Sequence, residues 1–176
     1  MSLVRELGTV IEVRVSAAEF HEVFSCRPYI STITSPGNVQ SCELVEGEWG
    51  KTGSFISWTF TRDKNPQNVK ELVEVIDNEN YITIFKLITE GLVLENLYKS
   101  FYSIVKVIPK DEGSLVNFTY KYEKQNEDVP DLESRLLEMV IQNVKDIDAY
   151  LTQQQEEDEI VKEFGDAPQT QITQQA

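Results

Sequence analysis

Lys99, Tyr120 and Tyr122 are side chains whose types and spacing could move a proton. Near residues 115–122, Val116, Phe118, Tyr120 and Tyr122 share one strand parity, while Asn117, Lys121 and Glu123 share the other. A strand with one dry face must turn the first set inward. Along 97–108, placing Lys106 in water turns Phe101, Ser103, Val105 and Val107 inward, and the same parity carries Lys99 with them. Two inward tyrosines and an inward lysine suit general acid–base chemistry, the phenol donating and the ammonium acting as charged partner. The pattern offers no inward carboxylate opposite that lysine to tune it toward a catalytic pKa. A lysine near a strand end also reaches solvent easily, and that reading competes with the chemical one.

Gly50-Lys51-Thr52, inside EGEWGKTGS, raises a different chemistry, because it has the ending of a phosphate-binding loop. Such a loop needs a glycine at the position held here by Val45. It also needs a helix directly afterwards to present backbone amides, whereas FISWTF has a strand pattern. The stretch therefore reads as a glycine-rich connection between strands. His21 is the single histidine and lies beside an apolar helical stripe, where a packing role outweighs catalysis. Cys26 and Cys42 lack metal-ligand spacing, so neither zinc nor a disulfide is expected, and no metal or cofactor is called for.

Period and punctuation define the elements that must position these groups. Leu7, Thr9, Ile11, Val13 and Val15 alternate with polar residues as a half-buried strand does. Ser16 then caps AAEFHEVF, with Glu19 at the capping-box position. A second short helix or turn follows Pro28, and six strands are placed near 39–45, 54–61, 69–76, 81–89, 97–108 and 115–122. The connections DKNPQN, DNEN and PKDEG are turn-forming and short enough only for antiparallel neighbours. Pro130 and Asp131 open a long helix to about Leu151, with the stripe Leu132, Leu136, Met139, Val140, Val144, Ile147 and Leu151. The fold class is α+β: a seven-stranded curved antiparallel sheet gripping a long C-terminal helix, with two short helices after the first strand. One domain is expected over 1–155, followed by an acidic, glutamine-rich, disordered tail over 156–176, with docking of Ile160, Val161 and Phe164 as the alternative.

Sixteen basic against thirty acidic residues give a net charge of -14, a field that repels phosphate backbones and excludes nucleic acid as a partner. Ribonuclease chemistry falls with it, since the single histidine has no acid–base mate. No apolar run reaches the length of a bilayer span, and MSLVREL lacks the apolar core of a signal peptide. The expectation is a soluble, cytoplasmic monomer or weak dimer.

SPGNVQSCELVEGEWGKTGSFISWTF closely resembles the major latex protein-like proteins of plants, a branch of the Bet v 1 or pathogenesis-related class 10 superfamily with the START-like helix-grip fold. The likeness continues through TEG, YKSF, VIPK and YEK and covers roughly residues 3–151. Arg5 stands where such proteins commonly have glycine, and EGLVLENLYKSF is one residue longer than usual. The resemblance implies a large, mostly apolar cavity that binds hydrophobic small molecules such as plant hormones or specialised metabolites. From the sheet it would be lined by Phe85, Phe101, Ser103, Val105, Phe118, Tyr120 and Tyr122. From the helix it would be lined by Leu136, Met139, Val140 and Asn143. Asn143 needs a partner for its amide, which a ligand, Tyr122, water or the sheet could supply. The alternative is an enzyme of specialised metabolism that cyclises, isomerises or condenses a reactive terpenoid or alkaloid intermediate, with Lys99, Tyr120 and Tyr122 as candidates.

Overall fold

The computed structural model describes residues 2–164. β1 (Val4–Val13) alternates exposed and covered side chains, as residues of period 2 on a half-wet strand must. Ser16 caps α1 (Ala17–Cys26): its hydroxyl accepts from the Glu19 amide at 3.3 Å and lies 3.1 Å from the Glu19 carboxylate. α1 sends Phe20, Val23 and Phe24 into the core. A single tight turn, Pro28–Ile30, leads into the short α2 (Ser31–Thr34).

Six strands follow: β2 (Val39–Glu46), β3 (Phe55–Arg62), β4 (Asn65–Asp77), β5 (Ile82–Leu87), β6 (Tyr98–Pro109) and β7 (Ser114–Lys124). They form one antiparallel sheet with β1 in the order β1-β7-β6-β5-β4-β3-β2. The long helix α3 (Leu136–Phe164) is the last element among the described residues. This is the α+β architecture expected from the sequence. No helix among the described residues is long and apolar enough to cross a membrane.

Three boundaries differ, each for a local reason. β4 begins at Asn65 because the turn before it is only Asp63 and Lys64, with φ of 51° and 66°. Positive φ at both central positions gives a two-residue hairpin the twist of its strands, so Pro66 falls within β4 opposite Thr61. α3 starts at Leu136 instead of near 131, because Asp131 and Leu132 are already bound to β7. It then continues to Phe164, so the acidic run expected to be disordered is helical that far. Glu, Gln and Lys favour a helix once a nucleus exists. Ile160, Val161 and Phe164 stay exposed there. The remainder of the expected tail lies outside the described residues.

The glycine-rich loop is a connection between β2 and β3 and is followed by strand, so it builds no phosphate cradle. Ser54 Oγ closes it, donating to Glu48 O at 2.7 Å and accepting from Glu48 N at 3.0 Å. Gly47 and Gly50 take φ of 96° and 80°, which side-chain-bearing residues adopt at a cost. Trp49 meets Tyr29 edge-on at 4.8 Å, pinning the loop to the turn after α1. His21 is buried, and its Nε2 lies 2.9 Å from Asn78 Oδ1 in the β4–β5 turn, consistent with a packing role. Cys26 and Cys42 are both free thiols.

α3 is fastened by polar contacts at both ends of its packed length. Buried Asp148 accepts from the backbone amides of Arg14 (3.0 Å) and Val15 (3.2 Å) through Oδ1, and from Arg14 Nε (3.2 Å) through Oδ2. Ser35 Oγ, after α2, donates to Asp146 Oδ2 at 2.7 Å. Just before α3, Leu132 N donates to Tyr122 Oη at 2.9 Å, and buried Lys124 meets Asp131 at 2.7 Å. Between them Val144, Ile147 and Leu151 complete a solid core with α1 and β1.

Removing the Asp148 carboxylate orphans one buried and one part-buried amide, so Asp148→Ala should lose about 2 kcal/mol in urea unfolding, while Asp148→Asn recovers most of it. Deleting residues 156–176 should leave the melting temperature within about 2 °C of wild type, because the side chains from Glu156 to Phe164 are exposed.

Candidate functional site

The inward parity expected for β6 and β7 is largely observed. Tyr120 pairs with Ser103, Ser103 with Phe85 and Phe85 with Val73, so one row crosses four strands. The next row runs Phe118, Val105, Thr83. Rings cluster on this face: Phe101 stacks on Tyr122 at 5.6 Å, and Tyr120 lies 5.6 Å from Phe101 and 5.0 Å from Phe118.

Lys99 is the exception. The β6–β7 register slips between Tyr98 and Ser100, a bulge that leaves Lys99 as the extra residue. A bulge reverses side-chain direction for everything beyond it. Lys99 consequently points outward, half exposed, with Nζ 3.6 Å from Glu123 Oε2, and Tyr98 takes the inward place against Tyr122. The buried lysine is Lys124, one step beyond Tyr122 on the inward parity. It is committed to Asp131, whose carboxyl it holds below the usual range. Tyr122 is likewise committed, since its hydroxyl receives the Leu132 amide. Of the three candidates for proton transfer, only Tyr120 keeps an uncommitted polar tip on the interior face.

From α3, Val140 is buried in the core, while Leu136 and Met139 are half-buried and line a cleft of about 350 Å³. The rest of its wall is polar and charged, with Arg62 and Arg135 beside the acids Asp63 and Glu138. Asn143 has its Oδ1 3.2 Å from Ser35 Oγ, so its partner is the α2 corner and not the sheet or Tyr122. The interior is therefore divided. Toward α1 it is filled, with Val105, Val107, Val116, Val144 and Phe20 at 1% exposure or less. Toward the first turns of α3, Phe101, Tyr120, Trp58 and Phe60 are only half-buried. Arg62, on the cleft wall, offsets a little of the rise that burial imposes on the Tyr98 and Tyr120 phenols.

The sequence reading missed Glu71. On β4 it shares the inward parity of Val73, lying between Ile56 on β3 and Leu87 on β5, both buried. Burial pushes its carboxyl up to about 7. Among the described residues no hydrogen bond or ion pair reaches it. Its proximity is felt by two other interior groups: burial first, then Glu71, raises both the Tyr120 phenol and the Cys42 thiol. The alternation Val69, Glu71, Val73 could have revealed it, because a charged residue between two inward valines is itself inward.

A carboxyl raised in the folded state keeps a proton that the unfolded chain releases near its ordinary value of 4.5. Stability linked to Glu71 is complete below that value and is lost as pH climbs toward 7. Glu71→Gln should remove this dependence, so that the variant gains up to about 3 kcal/mol on wild type between about pH 5 and pH 7.5 in urea titrations. Parallel curves would mean that the carboxyl is solvated.

Residues 2–154 match the Pathogenesis-related protein Bet v 1 family. The chain is 37% identical over 158 residues to MLP-like protein 34 of Arabidopsis thaliana, covering 89% of this chain and 49% of that protein. It thus spans about half the length of the curated relatives that head the comparison. Among solved structures it superposes on ginseng major latex-like protein 151 from Panax ginseng with a TM-score of 0.76 at 34% identity, covering 84% of this chain and 97% of that one. Norcoclaurine synthase from Thalictrum flavum superposes with a TM-score of 0.65 at 20% identity, covering 83% and 87%, which shows a shared fold. The seven-stranded grip, the extent of the match and its likeness to major latex-like chains together make this protein a member of the Bet v 1 family, on its major latex protein-like side.

Proposed function

We propose that this chain is a cytoplasmic binding protein for hydrophobic small molecules of the plant hormone, terpenoid or specialised-metabolite type, held under the first turns of α3 in a defence or stress setting. The observation that carries this reading is that the aromatic side chains Phe101 and Tyr120 on the inward face of the sheet stay half-buried, as does Met139 on the wall of a solvent-open cleft. Ligand sites are mostly apolar with few polar groups that fix orientation, and here those groups are Tyr120 and Glu71. Ser103 lies on the same row and is nearly covered.

A second reading is favoured by Glu71 and Tyr120 both lying on the inward parity of the sheet. An inward acid near neutrality and a phenol in one interior are what general acid–base catalysis of a cyclisation, isomerisation or condensation needs. In that case the Tyr120 phenol donates to a substrate oxygen while the Glu71 carboxylate takes a proton from carbon or nitrogen and returns it to product. Lys99 has no part in either reading.

Paired binding and product assays on Tyr120→Phe and Lys99→Met distinguish the two. For a carrier, Tyr120→Phe weakens a hydroxyl- or carbonyl-bearing ligand by about 0.5–1.5 kcal/mol and Lys99→Met changes nothing. For an enzyme, Tyr120→Phe lowers turnover by about 10²–10⁴ with substrate affinity nearly intact. Stereoselective product formation by wild type, lost in Tyr120→Phe, would replace the carrier reading.

A further inference from the structure

Glu71 is a half-buried acid on the inward face of β4, and among the described residues no hydrogen bond or ion pair accounts for it. The groups around it can be named strand by strand. β2, two strands away, carries the Cys42 thiol and β7, three strands away, the Tyr120 phenol, both raised first by burial and then by Glu71. β3 brings Ile56 directly opposite and Trp58 diagonally, and β5 brings Leu87. The buried face of α3 carries Leu137, Val140 and Val144 there, and its first buried titratable group is Asp148, already bound to β1. Arg62 acts on Tyr98 and Tyr120 but forms no ion pair with Glu71, and Arg135 on the cleft wall is held by Asp63 at 3.1 Å and Glu133 at 2.6 Å.

We propose that Glu71 selects hydrophobic ligands that carry a basic amine, the ammonium docking on its carboxylate with the rings of Trp58 and Tyr120 alongside. The inference rests on the binding reading above and names the ligand class for the same space. An ammonium is the partner that offsets the cost of a carboxylate out of water. The faces of Trp and Tyr rings attract cations electrostatically, and Trp58 stands diagonally across from Glu71 on the neighbouring strand. The net charge of -14 concentrates cations near the protein surface and gives no such help to neutral or anionic ligands. Docking of an ammonium draws Glu71 into its charged form, so the proton it held leaves to solvent.

The test uses the full chain and two fluorescent probes of one shape, naphthylethylamine and naphthylethanol, titrated from about pH 6 to about pH 8. The expected result is that both bind wild type and that the amine tightens about tenfold across that range. Calorimetry in buffers of different ionisation heat should show proton release with the amine and none with the alcohol. In Glu71→Gln the amine should fall to the alcohol's affinity, and in Glu71→Asp, which keeps a carboxylate, part of its advantage should return. Equal affinity of the two probes for wild type, or an amine advantage that survives in Glu71→Gln, overturns the assignment while leaving the hollow intact. Tighter binding of the alcohol below neutrality would also overturn it, showing that Glu71 acts as a neutral donor. Failure of both probes to bind overturns it together with the binding reading. Proton release by wild type is measured independently of how the variants fold.

Discussion

The carboxylate of Asp148 fixes the height of α3 above the sheet. Where β1 ends and the chain turns into α1, the amides of Arg14 and Val15 have no strand partner, and Asp148 supplies one for both. Hydrogen bonds between backbone amides and an ionised acid are among the stronger neutral-pH contacts a protein can make. With that point set, Val144, Ile147 and Leu151 pack against the core around β1 and α1. At the other end the chain ahead of α3 is held by the Tyr122 hydroxyl and by Lys124. The helix therefore spans two supports, and the first turns of it need not settle onto the sheet. In those turns Leu137 and Val140 are buried, while Leu136 and Met139 are half-buried on the cleft.

The inward face of the sheet carries an electrostatic cost. Glu71 stands on it without a counter-ion, so the folded protein is less stable at neutral pH than it would be with an amide in its place. Uncompensated interior acids of this kind concentrate at functional sites, because structure alone gives no reason to retain them. Tyr120 and Cys42 feel the same charge and remain protonated, which leaves the hollow with one ionisable switch near physiological pH. A cationic ligand would relieve the cost and a neutral one would not.

Much of the fold was legible because the chain obeys local rules: period-2 strands, the Ser16 cap and short turns between antiparallel neighbours. What the sequence hid were features that break periodicity. The bulge at Lys99 inserts one residue, and parity counted back from Lys106 through it assigns Lys99 to the wrong face. The onset of α3 was hidden because the helical pattern through Leu132 continues past the point where Tyr122 captures the backbone. The helical acidic run was misread because its composition suits either disorder or a solvated helix. Glu71 was within reach of the same parity argument that found Tyr120. Commitments such as Tyr122 to Leu132, Lys124 to Asp131 and Asn143 to Ser35 join residues through packing that no spacing announces.

The claim on which the account turns is that a hydrophobic molecule enters the space under the first turns of α3. The chain has only two methionines, Met1 and Met139, so selective methyl labelling gives a single reporter at the cleft together with one at the terminus. Titration with naphthylethanol, followed by methyl NMR of Met139 and aromatic NMR of Phe101 and Tyr120, should show saturable shifts at all three. Signals from Val107 and Val116 in the filled core should stay in place. Saturable shifts confined to surface residues, or none at Met139, Phe101 and Tyr120, would contradict the account.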